Sequence, residues 1–188
     1  MQEKTEEQLK ELFGPIHESM RGYFAYHFFL AMARDDDIHL LLGDLGYGMF
    51  DKHIEYFPNR VTNTGAAEQA MMGIACGLAL EGKKVFVYSI TTFLLYRAFE
   101  TIRNYIDHEK IPVRLVGSGR DRDYAHDGFS HWSEDVNKLF WSKEYFDKGI
   151  TPFFSNIFTL FPKDKEEIPS LVSSMVENND PWFISLRR

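Results

Sequence analysis

Cysteine occurs once in the 188 residues, as Cys76, so no disulfide can close within the chain and a thiolate zinc site has no ligand set. No apolar run approaches the roughly 20 residues that span a bilayer. The first segment, MQEKTEEQLKELF, is charged and lacks the apolar centre of a signal peptide. A cytoplasmic protein with no membrane partner is expected. Positive charge is also scarce: 21 Lys and Arg against 28 Asp and Glu leave a net charge of -7, which argues against nucleic acid as a partner. The acidity is diffuse apart from Asp35-Asp36-Asp37, read as a solvated turn between helix and strand rather than a metal site. Repeats and low-complexity linkers are missing, and no G-x-G-x-x-G follows a predicted strand, which weakens a plain Rossmann-type nucleotide binder. What remains is 44% hydrophobic and 15% aromatic, enough for the core of one ordinary domain.

Apolar runs and helical periods alternate along that domain. Helices are predicted over 3–13, 19–33, 92–107, 133–140 and 164–177, and strands at 38–42, 61–62, 85–90, 113–116, near 155–160, and at 182–186. Strands separated by helices imply βαβ crossovers, hence a three-layer α/β/α fold around a mainly parallel sheet. Residues 1–18 read as an N-terminal helical extension to a domain covering 19–188. In such sheets ligands gather at the carboxyl ends of strands. Asp44, Asn63–Glu68, Ile90–Phe93 and Gly117–His131 all fall there.

The stretch Asn63–Glu81, NTGAAEQAMMGIACGLALE, carries the best clue to chemistry. Gly65 breaks the preceding segment, Gly82 supplies a stop, and the helix between them has no polar face, so burial on most sides is expected. Glu68 enters this apolar helix at its first turn. One reading makes it an acid that complements the helix dipole, worth at most about 1 kcal/mol; the other makes it functional, because carboxylates are rarely buried without need. Gly73 and Gly77 clear one stripe of side chains, which suits either a subunit interface or helix-on-sheet packing inside the domain.

The runs GAAEQAMMGIACGLALEGKKVFVYSITTFLLYRAFETIRNYI, IPVRLVGSG and DGFSHWSED, in that order, resemble the pyrimidine-binding domain of transketolases and 1-deoxyxylulose-5-phosphate synthases, which are thiamin diphosphate enzymes. FLAMARDDDIHLLLGDLG upstream and FPKDKEE with NNDPWFISLRR downstream resemble that domain's beginning and end, from about residue 20 onward. The resemblance implies that Glu68 is the family's catalytic glutamate, bonded to the cofactor's pyrimidine ring and tuned by a largely apolar setting. It makes Phe93 the stacking platform, with Ile90 standing where the family often has phenylalanine and Tyr96 as a further contact. Asp44 and Leu45 match a pair beside the cofactor at the subunit interface, although a turn aspartate reads equally well. Asp127 and His131 match residues that reach sugar hydroxyls, His131 also as a proton carrier. Arg120 and Arg122 are candidates for a substrate phosphate or carboxylate, against the alternative of a solvated charge run. Gly119 departs from the pattern: transketolases have a histidine eight residues before the matched aspartate, which puts a ketose-phosphate preference in doubt.

The Gly-Asp-Gly string that anchors the diphosphate through Mg²⁺ in this class is absent; Gly43-Asp44-Leu45 lacks the second glycine. The resemblance therefore implies half a cofactor site, completed by a separate diphosphate-binding chain that supplies the Mg²⁺ ligands, in an α2β2 heterotetramer acting on small sugar-like substrates. Met1 followed by a helix reads as a natural start. Two rivals stay open: a decarboxylating 2-oxo acid synthase subunit, and a non-catalytic assembly subunit.

Overall fold

Six parallel strands set the architecture: β1 (Ile38–Leu42), β2 (Val61–Asn63), β3 (Lys84–Ile90), β4 (Val113–Ser118), β5 (Phe158–Leu160) and β6 (Trp182–Leu186), in the order β2-β1-β3-β4-β6-β5. The computed structural model describes residues 3–140, 147 and 152–188. Register runs straight across the centre, Leu42 beside Tyr88, Tyr88 beside Val116 and Val116 beside Ile184. Because every pair is parallel, the carboxyl ends of β1 to β4 lie along one edge. The strands are continuous apolar runs because both faces are covered. Phe86 and Tyr88 enter one core, whereas Val85 and Val87 enter the other. The α/β fold with a parallel sheet is as the sequence implied.

On the first face lie α1 (Glu6–Phe13), α2 (Met20–Arg34), α3 (Asp51–Tyr56) and a C-terminal helix, Ile168–Glu177. Thr5 and Gln8 cap α1 reciprocally, and Ser19 Oγ accepts the Gly22 amide to start α2. The aromatic residues of α2 fill this layer, with Phe24 and Phe28 stacked at 5.5 Å and Phe28 against Phe86 at 4.6 Å. The turn after α2 is held by charge pairs, Asp35 to Lys84 at 2.7 Å, Asp36 to Arg60 at 3.4 Å and Asp37 to Lys83 at 2.7 Å. No helix among the described residues is long and apolar enough to cross a membrane.

The second face holds α4 (Glu68–Leu80), α5 (Thr91–Tyr96) and α6 (Phe99–Thr101), which runs on as a π-helical turn, Ile102–His108. Three expectations need correction here. The α4 helix is buried on one side only: Met71, Met72, Ala75, Cys76 and Ala79 pack inward, while Ala70, Gly73, Ile74, Gly77 and Leu80 face outward. Gly73 and Gly77 meet nothing within 4 Å where a Cβ would stand, so internal packing does not explain the glycine stripe. The helix expected over 92–107 is broken at Arg97–Ala98, where Ala98 leaves helical geometry (φ -108°, ψ 18°). The helix expected over 133–140 is one 3-10 turn, Val136–Leu139. The last helix, α7 in chain order (Ile168–Glu177), starts with Pro169 in its first turn.

Candidate functional site

Glu68 opens α4 at the carboxyl edge of the sheet, and only 2% of it is exposed. Its carboxylate accepts two hydrogen bonds from Arg97 Nη1, at 3.0 and 2.9 Å, and one from Ser89 Oγ at 3.3 Å. Ser89 comes from the end of β3, and Arg97 from the break after α5. The apolar setting expected for Glu68 is thus replaced by a charge-assisted pair. The same guanidinium lies 3.7 Å above the centre of the Phe93 ring. Arg97 was missed in the sequence because a helix through 92–107 makes it one more surface cation. The available signal was its spacing, one turn after Phe93 on the same helix face.

The structure brings His131 to this group. Its ring stands 4.7 Å from Phe93, nearly edge-on, with Nδ1 bonded to Ser130 Oγ at 3.0 Å. The 3-10 turn Phe129–His131 is held over α5 by Thr92 Oγ1, which donates to the Ser130 carbonyl at 2.7 Å. Glu68, Phe93, Arg97 and His131 therefore form one cluster from three separate stretches of chain.

Other candidates are placed differently. Tyr96 turns its hydroxyl to Asp135 Oδ1 at 2.8 Å, and burial together with that carboxylate raises its pKa. Asp127 is exposed and pairs with His126 at 3.1 Å. Asp44 adopts a left-handed backbone (φ 57°), accepts from the Tyr47 hydroxyl at 2.7 Å, and is exposed, the signature of a turn residue. Arg120 does not fit the role of a substrate cation. Its guanidinium donates to the Pro162 carbonyl at 2.8 Å and to both the hydroxyl and carbonyl of Ser185, so its donors are consumed in tying the loop to β6. Burial lowers its pKa. Nor is Arg120 part of a solvated run; of the two arginines it is Arg122 that is exposed, paired with Glu134 at 2.9 Å.

Leu45 and Ile90 line a cavity of about 560 Å³ on the α2 side of the same edge. Arg21 enters it from the first turn of α2 and was not singled out from the sequence. Its Nη1 donates to Tyr124 Oη at 3.0 Å, whereas its buried Nε has no hydrogen-bond partner among the described residues. Tyr124 packs against Gly119, whose backbone is left-handed (φ 83°) and where a Cβ would come within 2.3 Å of the tyrosine ring. The tyrosine thus fills the space beside Gly119. Its hydroxyl also meets Ser118 Oγ at 2.9 Å.

Known proteins share this arrangement of elements. A family model described as the transketolase pyrimidine binding domain matches residues 19–188. A putative transketolase C-terminal section from Methanocaldococcus jannaschii is 32% identical over 149 residues, covering 79% of this chain and 42% of the relative. One of the subunits of an apulose-4-phosphate transketolase from Actinobacillus succinogenes is 29% identical, over 71% of this chain and 39% of its own length. The chain therefore spans less than half of these relatives. Among solved structures, a split-gene transketolase captured as an inactive beta4 tetramer superposes with a TM-score of 0.73 at 24% identity, over 91% of this chain and 52% of that one. Transketolase from Campylobacter jejuni gives 0.72 at 18% identity, over 96% and 29%. Over residues 19–188, the chain belongs to the transketolase pyrimidine-binding domain family.

Proposed function

We propose that this chain is the pyrimidine-binding subunit of a two-component, thiamin diphosphate-dependent transketolase-like enzyme that moves a two-carbon ketol unit between sugar-like carbonyl compounds. The observation that carries the reading is the occupant of the Glu68 cluster. A planar nitrogen group, the Arg97 guanidinium, lies 3.7 Å over the Phe93 ring and donates through Nη1 to both oxygens of a buried carboxylate. Those two contacts are what an aminopyrimidine ring requires, so the residues fit the cofactor. When bound, thiamin diphosphate supplies the nucleophilic carbon and the electron sink. Glu68 would share a proton with a pyrimidine ring nitrogen, Phe93 would stack on the ring, and Ile90 would pack at its margin. His131, beside Phe93, would meet a substrate hydroxyl or carry a proton in transit. An anionic substituent in the cavity would meet the guanidinium of Arg21, which lines it.

The diphosphate and Mg²⁺ would be held by a separate chain carrying Gly-Asp-Gly, in an α2β2 assembly. The outward stripe of α4, with Ile74 46% and Leu80 71% exposed, supports such a neighbour, since its glycines allow a close approach. Relatives named as a transketolase C-terminal section and as one subunit of a transketolase support the same division.

The test is reconstitution with the diphosphate-domain chain and replacement of Glu68 by glutamine. Ketol transfer should fall at least about 100-fold, the range seen when an acid–base group is removed. Undiminished transfer would assign the chain a purely structural role. The Tyr124 ring against Gly119 favours a second reading, in which the substrate is not a ketose phosphate and a 2-oxo acid is decarboxylated. Carbon dioxide release from pyruvate by the complex separates the two.

A further inference from the structure

Resting on the reading of the Glu68 cluster as a pyrimidine seat, we propose that Arg97 is a built-in plug of that seat, holding it shut until the cofactor is delivered. Two planar groups cannot share one face of Phe93 at van der Waals distance. The guanidinium already stands 3.7 Å above that ring and spends its Nη1 on both oxygens of Glu68, at 3.0 and 2.9 Å. Ring stacking and carboxylate bonding are thus satisfied within the chain.

The plug closes by default because opening it strands a buried charge. Glu68 is 2% exposed, so removing its cation leaves a carboxylate with only the Ser89 hydroxyl as donor, a costly state. Release needs no repacking of the core. The Arg97 side chain is 46% exposed, and it hangs from the break between α5 and α6, not from a packed helix interior. Rotation about its own side-chain torsions carries it into solvent. A pyrimidine ring nitrogen that shares a proton taken up by Glu68 restores the missing hydrogen bond and neutralises the carboxylate, so the ligand and the arginine exchange places. Cofactor affinity is then lowered by the fraction of chains whose seat is plugged.

The experiment titrates thiamin diphosphate with Mg²⁺ into the complete two-chain complex, followed by calorimetry, for the wild type, Arg97→Met and Arg97→Lys. Arg97→Met should bind about tenfold more tightly. Arg97→Lys should lie between, since lysine keeps the charge but offers no plane to Phe93. Equal or weaker binding by Arg97→Met overturns the plug and makes Arg97 a support of the bound cofactor. A crystal structure of the wild-type loaded complex gives an answer that does not depend on variant folding. The plug requires Arg97 to have left Phe93, and an arginine still stacked there beside bound cofactor overturns it. A wild-type complex that binds no thiamin diphosphate overturns the functional reading as well.

Discussion

The two helical layers on this sheet are finished to different degrees. The layer of α1, α2, α3 and α7 is closed, with Phe24, Phe28, Phe29 and Phe50 fully buried and His53 locked among their rings. Arg114, inside β4, reaches through this layer to the carbonyls of Met175 and Asn178 at 3.0 and 2.6 Å, satisfying the end of α7. The layer of α4 and α5 buries only the sheet-facing half of α4. The other half is apolar and open, and beside it lies an ion pair whose arginine is half in water. The first layer is shaped by internal packing. The second keeps surface and charge in reserve, as an element completed by another molecule would.

Substitutions that break this contrast should separate stability from assembly. The largest loss of stability is expected for Phe28→Ala, about 4 kcal/mol, because a stacked ring vanishes from a closed core; chemical denaturation of the free chain measures it. Arg114→Met should cost about 3 kcal/mol, since buried carbonyls lose their donor. His53 gives the same layer a pH dependence. Burial among aromatic rings lowers its pKa from 6.5 to about 3, so the unfolded chain takes up a proton first as pH falls. Its neutral form contributes fully above pH 6.5, and that contribution drains away between pH 6.5 and about 3. Replacing His53 with leucine should flatten the acid limb of a stability-versus-pH curve across that window. Ile74→Asp, on the open side of α4, should change free-chain stability by less than about 0.5 kcal/mol. It should nonetheless abolish co-purification with the proposed diphosphate-binding chain. A large stability loss from Ile74→Asp, or intact assembly, would erase the difference between the layers.

Much of the sheet is legible in the sequence because continuous apolar runs such as IHLLL and WFISL have no other way to be buried. Helix α3 went unread, since it is short, follows Phe50 without a side-chain cap, and reads as an aromatic loop. Glu68 is legible as a charge out of place in an apolar segment. Its partner is not, because pairing with Arg97 depends on a helix break 29 residues away folding back over β3. Arg120 shows the opposite failure: a local charge run suggested a ligand or solvent, yet the long-range approach of β6 claims its donors.

Sequence alone determined the strands, the parallel crossover topology, the carboxyl edge on which the candidates converge, and the acid that opens α4. These follow from local hydrophobic pattern, which is written residue by residue. Tertiary structure decided which cation meets that acid, which side of α4 stays open, and how Tyr124 fills the space at Gly119. Such outcomes depend on distances between segments far apart in the chain, set only when both layers have packed on the sheet.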